Sequence, residues 1–322
     1  MNATPGAGRV CPLRYRYGAT AIAQAPEREA STLYLIGGLY GNVQALDTIE
    51  AMAAVECVVP CLCFNGDFNW FNVADGNFEQ VNQRVLAHDA ILGNVEAELD
   101  SPADDAGCGC AYPESVDSGT VERSNQIHRR LKATALHHPE ILKRIATLPM
   151  LARYRVGPCR VGVVHGDAES LAGWRFDVNA LDDTAALPWL RSAFAQANVD
   201  LFASTHTCLP ALRRFALTPS TSNSEGCVVN NGAAGMPNFR GDRSGLITRV
   251  ATTPSPHASV CEVQLEGAYV ALLPVSFDTA RWQQEFLAQW PVDSAAWLSY
   301  NERMSQGPSY DKSRAIAFLP TH

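Results

Sequence analysis

The sequence has neither an apolar run as long as a membrane span nor an excess of basic residues. Its mean hydropathy is −0.08, and acidic residues outnumber basic ones by 33 to 25. A membrane helix needs about 20 consecutive apolar residues, and a dedicated nucleic-acid binder is normally basic. The first residues also lack the basic and then apolar segments of a secretory signal. We therefore expect a cytoplasmic protein without a membrane span or a dedicated nucleic-acid partner.

Cysteine is present in number, but its context does not favour disulfides. The chain contains 10 cysteines. Without a secretory signal they are expected to be reduced thiols. Cys61 and Cys63 alternate within an apparent strand, which predicts that they pack in the core.

The order of predicted elements indicates an α/β fold in one domain. Strands alternate with helices in the first half, and consecutive strands follow in the second. The 322 residues are enough for one large core. We expect a single domain over residues 1–322. It would have an N-terminal arm at 1–30, a polar insertion at 101–118 and a C-terminal helical extension at 266–322.

Four predicted strands each lead into a residue that can bind a metal. These residues are Asp67, Asn94, His165 and His206. Each dipeptide around them is common at turns and, taken alone, is explained by structure. Ligands of open α/β sheets, however, gather beyond the carboxyl ends of the strands. The repeated pattern therefore predicts that the four side chains meet in one cleft.

The motifs around these residues, in their order, resemble the calcineurin-like metallophosphoesterase superfamily. The resemblance is to its bacterial phosphodiesterase-like branch and covers roughly residues 31–250. It implies a four-layer α-β-β-α sandwich of two mixed sheets flanked by helices. The motifs are Ile36-Gly-Gly-Leu-Tyr-Gly-Asn42, Gly66-Asp67, Leu92-Gly-Asn-Val-Glu96, His165-Gly166 and Thr205-His-Thr-Cys-Leu-Pro210.

Four positions depart from the family pattern. Gly38 stands where the family has Asp, and Tyr40 and Cys208 stand where it has His. Val95 replaces the histidine that the family uses in catalysis. Gly38, Tyr40 and Cys208 all fall on ligands of the family's first metal. The resemblance therefore implies that this metal site is lost.

The second metal site of the family is retained in full. Its ligands correspond to Asp67, Asn94, His165 and His206. Two imidazoles, one carboxylate and one amide oxygen suit Zn²⁺, Mn²⁺ or Fe²⁺, whereas Ca²⁺ and Mg²⁺ prefer shells of oxygen. We expect one such divalent transition metal per chain.

The function implied is that of a divergent metal-dependent phosphoesterase. It would hydrolyse a phosphate mono- or diester of a small phosphorylated substrate through a metal-bound hydroxide. Tyr40, Glu96 and Cys208 are the candidate catalytic residues. The loss of the first metal site and of the histidine at Val95 predicts weakened activity on the family's usual diesters.

Two other hypotheses stay open from the sequence. The chain could be a catalytically impaired relative that binds one metal or a ligand without turnover. It could also use thiol chemistry through Cys208, with Cys108 or Cys110 reaching the cleft from the insertion. Tyr40 could donate a hydrogen bond in catalysis, or its ring could simply fill the vacated space.

Overall fold

Two mixed six-stranded sheets form the centre of the protein. The computed structural model describes residues 6–101, 106–217 and 225–316. The strands in these ranges are β1 Glu27–Glu29, β2 Thr32–Ile36, β3 Cys61–Phe64, β4 Asp89–Ala90, β5 Leu151–Val156, β6 Cys159–Val164, β7 Leu201–Ser204, β8 Ala211–Ala216, β9 Glu225–Asn230, β10 Gly245–Ala251, β11 Cys261–Leu265 and β12 Ala268–Val275. The first sheet has the order β1-β5-β6-β7-β9-β8, and the second has the order β11-β12-β10-β2-β3-β4.

Helices flank these sheets. They are α1 Ala19–Gln24, α2 Val43–Ala54, α3 Asp75–Val85, α4 Asn94–Ala97, α5 Ser118–Ala135, α6 Pro139–Ala146, α7 Val178–Asp182, α8 Leu187–Ala197, α9 Thr279–Gln289, α10 Ala295–Gln306 and α11 Lys312–Ala315. No helix in the described ranges is long and apolar enough to cross a membrane.

Strand β2 illustrates how the layers are held together. Its side chains alternate between the two faces of the sheet, as the pleat requires. Leu33 and Leu35 pack in one core with residues of the other sheet such as Val161. Tyr34 and Ile36 pack on the opposite face, in a separate core that includes residues of α2 and α3. The predicted four-layer sandwich is confirmed.

Parallel pairing directs the functional loops to the same edge of each sheet. In one sheet β2, β3 and β4 are parallel neighbours. In the other sheet β6, β7 and β9 are parallel neighbours. The loops after β3, β4, β6 and β7 carry the four predicted ligands, in agreement with the principle that such sites form at carboxyl ends.

The predicted helical extension at 266–322 is wrong over its first part. Ala268–Val275 is a strand, β12, inserted between β10 and β11. Glu266 and Gly267 have φ values of 45° and 76°, which gives the two-residue turn that closes a tight hairpin with β11. The helices expected further on are present as α9 and α10. The last residues, 317–322, lie outside the described ranges.

The other two predicted segments contain regular structure or buried residues. The arm at 1–30 contains α1 and the edge strand β1, which pairs with β5. In the insertion at 101–118, residues 102–105 are outside the described ranges. Cys108 and Cys110 are buried, whereas the end of the insertion, from residue 114 to 118, is largely exposed.

A buried ion pair joins the end of α2 to β10. Arg249 donates from Nε to Glu56 Oε1 at 2.7 Å and from Nη2 to Oε2 at 3.0 Å. The Tyr34 hydroxyl also donates to Glu56 Oε1, at 2.7 Å. Both charged side chains are nearly inaccessible. Removing one partner would leave the other charge buried and uncompensated.

We predict that Arg249→Met lowers the free energy of unfolding by about 3–5 kcal/mol, measured by urea denaturation. The double variant Arg249→Met/Glu56→Met should lie closer to the wild type, because no charge is left buried. Arg129→Met, which breaks an exposed pair with Glu122, serves as the control and should cost less than about 1 kcal/mol. If Arg249→Met lowers the free energy of unfolding by no more than the control variant does, this account is contradicted.

Candidate metal centre

The four side chains predicted as ligands meet at the edge where the two sheets adjoin. His165 Nε2 lies 3.0 Å from Asn94 Oδ1 and 3.1 Å from His206 Nδ1. It lies 3.4 Å from Asp67 Oδ1. Ligand atoms of Asp67, His165 and His206 are all within 4.8 Å of one another. One sheet therefore supplies a carboxylate and an amide, and the other supplies two imidazoles.

Hydrogen bonds on the far side of each imidazole determine its tautomer. His165 Nδ1 is 2.9 Å from the carbonyl oxygen of Asn65, and His206 Nε2 is 3.1 Å from that of Cys110. A carbonyl oxygen only accepts hydrogen bonds, so both of these nitrogens carry the proton. The lone pairs of His165 Nε2 and His206 Nδ1 are thereby directed at the cluster, as in metal-bound histidines.

The Asn94 amide is oriented in the same way. Its Nδ2 donates to the carbonyl oxygen of Cys108 at 2.9 Å, which leaves Oδ1 to face His165. Four electron-pair donors thus converge with no hydrogen-bond donor of their own among them. Such an arrangement is stable only with a positive charge at its centre, either a proton or a metal cation that displaces it. The donor set fits a divalent transition metal.

Electrostatics agree with this requirement. Burial lowers the pKa of His206 to about 3, so its imidazole is neutral. Burial also opposes charge on His165, but the Asp67 carboxylate outweighs it and raises the pKa of that imidazole. Burial alone would favour the neutral Asp67 acid, yet attraction to His165 lowers its pKa. The cluster therefore holds a carboxylate that attracts positive charge.

The backbone is strained at three positions around the cluster. Tyr40, Asp67 and Cys208 have φ values of 56°, 56° and 59°, a left-handed conformation that residues other than glycine seldom adopt. Strain of this kind concentrates at functional sites. Close packing adds a second constraint, since a Cβ on Gly93 would lie 2.2 Å from Asp67 Oδ1.

Glu96, a candidate catalytic residue, is committed to holding the Asp67 loop. Its Oε2 accepts the N–H of Asp67 at 2.8 Å and that of Gly93 at 3.3 Å. Its Oε1 accepts the N–H of Asn69 at 3.1 Å. Burial, with the nearby Asp67 charge, raises the pKa of Glu96 to about 7. These contacts favour a positioning role for Glu96, and its catalytic role stays a prediction.

The three residues that replace first-metal ligands are also neighbours in space. The Tyr40 hydroxyl is 2.9 Å from Cys208 Sγ. A Cβ on Gly38 would lie 3.1 Å from that hydroxyl. The Tyr40 ring therefore fills the space into which an aspartate at position 38 would extend. It also lines the cleft, so filling space and contacting a ligand are both open to it.

The thiols near the cleft are held in their neutral form. Burial raises the pKa of the Cys208 thiol and of the Tyr40 hydroxyl, and the positive charge of Arg303 only partly opposes this. Burial raises the pKa of Cys110 well above its usual value. A neutral thiol is a poor nucleophile. This argues against the hypothesis of thiol chemistry.

Aromatic side chains form the walls of the cleft. The cavity encloses about 180 Å³, somewhat more than the roughly 150 Å³ of an engineered cavity that holds benzene. Each of the Asn-rich loop after β3, the 101–118 insertion and the stretch at 173–176 contributes wall residues. Those residues are Trp70, Cys110, Tyr112 and Trp174. Val95 also lines the cleft, so the position of the missing histidine does face it.

Two wall residues, Tyr300 and Arg303, were not predicted from the sequence. Both belong to α10, outside the part of the chain that resembles the family. The Tyr300 ring packs edge-on against the Phe71 ring, with the two ring centroids 4.9 Å apart. The sequence predicts a helix here but not what it packs against, because Phe71 and Tyr300 are more than 200 residues apart in the chain.

The sequence matches no family model and no curated protein, but solved structures resemble the fold. One is a metallophosphoesterase from Sphaerobacter thermophilus, with 18% identity, a TM-score of 0.53, and coverage of 87% of this chain and 100% of that one. Another is a hypothetical protein from Pyrococcus horikoshii, with 12% identity, a TM-score of 0.56, and coverage of 87% and 99%. The chain therefore has the metallophosphoesterase fold.

Proposed function

We propose that this protein is a metal-dependent phosphoesterase that works with a single divalent transition metal. The observation that carries the proposal is the convergence of His165 Nε2, His206 Nδ1, Asn94 Oδ1 and Asp67 Oδ1. These residues would hold the metal. When bound, such a metal activates water for attack and polarises a phosphoryl oxygen. The cleft leaves room for a phosphoryl group and a small organic substituent.

The residues that line the cleft are better suited to binding a substrate than to transferring a proton. The aromatic walls exclude water and contact the organic part of a substrate. Val95 cannot donate a proton to a leaving group, unlike the histidine that the family has there. Esters whose leaving group departs without protonation should therefore be the best substrates. Val95 also supports the competing hypothesis, in which the protein binds a metal without turnover.

The decisive experiment measures metal content and turnover together. Purified protein, loaded with Zn²⁺, Mn²⁺ or Fe²⁺ and dialysed, should retain about one metal per chain by elemental mass spectrometry. It should hydrolyse p-nitrophenyl phosphate or bis(p-nitrophenyl) phosphate, whose leaving group needs no proton. Metal binding without hydrolysis of either ester would favour the competing hypothesis.

Variants of the ligands provide the matched comparison. His165→Ala and His206→Ala should each lose most of the bound metal, whereas Cys208→Ser should retain it, because the Cys208 thiol bonds to Tyr40 and not to the cluster. Equal metal content in all three variants would refute the ligand assignment.

Glu96→Gln should lower metal affinity by about 10- to 100-fold, because an amide nitrogen would face the N–H groups that now hold the Asp67 loop. Competition with a chelator measures this affinity. Glu98→Gln is the control: Glu98 is equally buried but bonds to Arg14 and Tyr15 instead. If both variants weakened metal binding alike, general destabilisation would explain the effect.

Restoring the family's ligands should restore the first metal site. The variant Gly38→Asp/Tyr40→His/Cys208→His is expected to bind two metals per chain. The backbone at all three positions is already left-handed, and aspartate is among the residues that tolerate this best. Gly38→Asp alone should stay at one metal, because the Tyr40 ring occupies the space. A folded triple variant with one metal, in excess metal, would contradict the account of the lost site.

A further inference from the structure

Arg303 of α10 reaches the side of the cleft where the first metal is missing. Its Nη2 donates to the carbonyl oxygen of Cys208 at 2.9 Å, and its Nε donates to that of Pro237 at 3.0 Å. The same residue lines the cleft together with Tyr40 and Cys208. Arg303 therefore adjoins two of the three residues that replace first-metal ligands, and two hydrogen bonds fix its guanidinium there.

The positive charge of the Arg303 guanidinium is not neutralised by an ion pair in the described part of the chain. Carbonyl oxygens orient an arginine but do not neutralise it, and within the described ranges no carboxylate forms an ion pair with Arg303. The group is half-buried, where a charge acts more strongly than in open solvent. A cleft with a fixed, uncompensated positive charge attracts anions.

The chemistry of phosphoryl transfer gives this charge a use. The missing first metal would bring two positive charges to the phosphoryl oxygens, and its loss leaves them without that stabilisation. An arginine restores one charge, and its planar fork of N–H groups matches two phosphoryl oxygens. Arginines placed in this way stabilise the charge that develops during phosphoryl transfer.

We propose that Arg303 takes over the role of the missing metal by binding the non-bridging oxygens of the substrate's phosphoryl group. The inference rests on the proposed function, since it names the group that holds the phosphoryl oxygens in the same cleft. Asp67, Asn94 and His206, three of the residues that would hold the metal, line the same cleft as Arg303. Arg303 belongs to α10, near the carboxyl-terminal end of the chain. The residues that replace the first-metal ligands, Gly38, Tyr40 and Cys208, belong to earlier segments.

Binding of inorganic phosphate to the metal-loaded full chain tests this directly, by isothermal titration calorimetry. Arg303→Gln should weaken phosphate binding by about 10- to 100-fold. It keeps an N–H group at the position of Nε, which donates to Pro237, but removes the charge. Arg303→Lys should retain part of the affinity, because it keeps the charge without the fork. Arg281→Gln, which removes an exposed arginine of α9 paired with Glu285, should bind phosphate like the wild type.

Metal content separates a binding role from a structural one. It should be equal in the wild type and all three variants, because Arg303 contacts no predicted ligand side chain. Equal phosphate affinity in Arg303→Gln and the wild type would overturn the proposal, as would a metal-loaded wild type that binds no phosphate. If Arg303→Gln proves unstable, Arg303→Lys decides: a folded, metal-loaded lysine variant that binds phosphate as tightly as the wild type contradicts the inference.

The outcome is independent of whether the protein turns over an ester. A wild type that binds metal and phosphate but hydrolyses nothing would refute the proposed function, while the comparison of Arg303 variants would still decide the role of Arg303. Adding Arg303→Gln to the Gly38→Asp/Tyr40→His/Cys208→His variant provides a second readout. It should tighten binding of the restored metal, because a guanidinium and a metal ion repel each other. If the affinity for the restored metal does not change, Arg303 does not lie near that site, and this counts against the proposal.

Discussion

Four electron-pair donors confined in a buried space are the constraint on which this structure depends. His165, His206, Asn94 and Asp67 turn lone pairs toward one another. The other polar side-chain atoms of both histidines and of Asn94 donate to backbone carbonyl oxygens, and Asp67 Oδ1 accepts the N–H of Val95. Such a cluster is stable only around a positive charge. The surrounding backbone accepts left-handed strain at Asp67 to maintain it. Burial, tautomers and strain all follow from holding these donors together.

The sandwich makes this arrangement possible. Neither sheet alone carries the full set of donors: the loops after β3 and β4 supply Asp67 and Asn94, and the loops after β6 and β7 supply the histidines. Packing the two sheets face to face brings their carboxyl ends to a common edge. Glu96 then joins the Asp67 loop to the start of α4 through backbone N–H groups. The core thus positions the site, and the second layer of hydrogen bonds orients it.

Much of this was predictable from local sequence, because each ligand directly follows a short apolar strand. The layer order and the meeting of the four donors were predicted correctly. The strand β12 was missed because its pairing is set by a two-residue turn, Glu266-Gly267, whose conformation the apolar pattern does not reveal. The backbone contacts of Glu96 could not be predicted, since a carboxylate next to ligand positions has the same local sequence whether it faces a substrate or a backbone amide. Arg303 was missed because only tertiary packing brings α10 to the cleft.

The central claim is that the protein keeps one metal site and has other side chains in place of the ligands of the other. Anomalous X-ray diffraction from metal-soaked crystals, collected at the absorption edge of the metal, locates each ion without reference to activity. The account predicts a single peak, bound by Asp67, Asn94, His165 and His206, with protein density from Tyr40 beside it. A peak between Gly38, Tyr40 and Cys208, or no peak at the four donors, would contradict it.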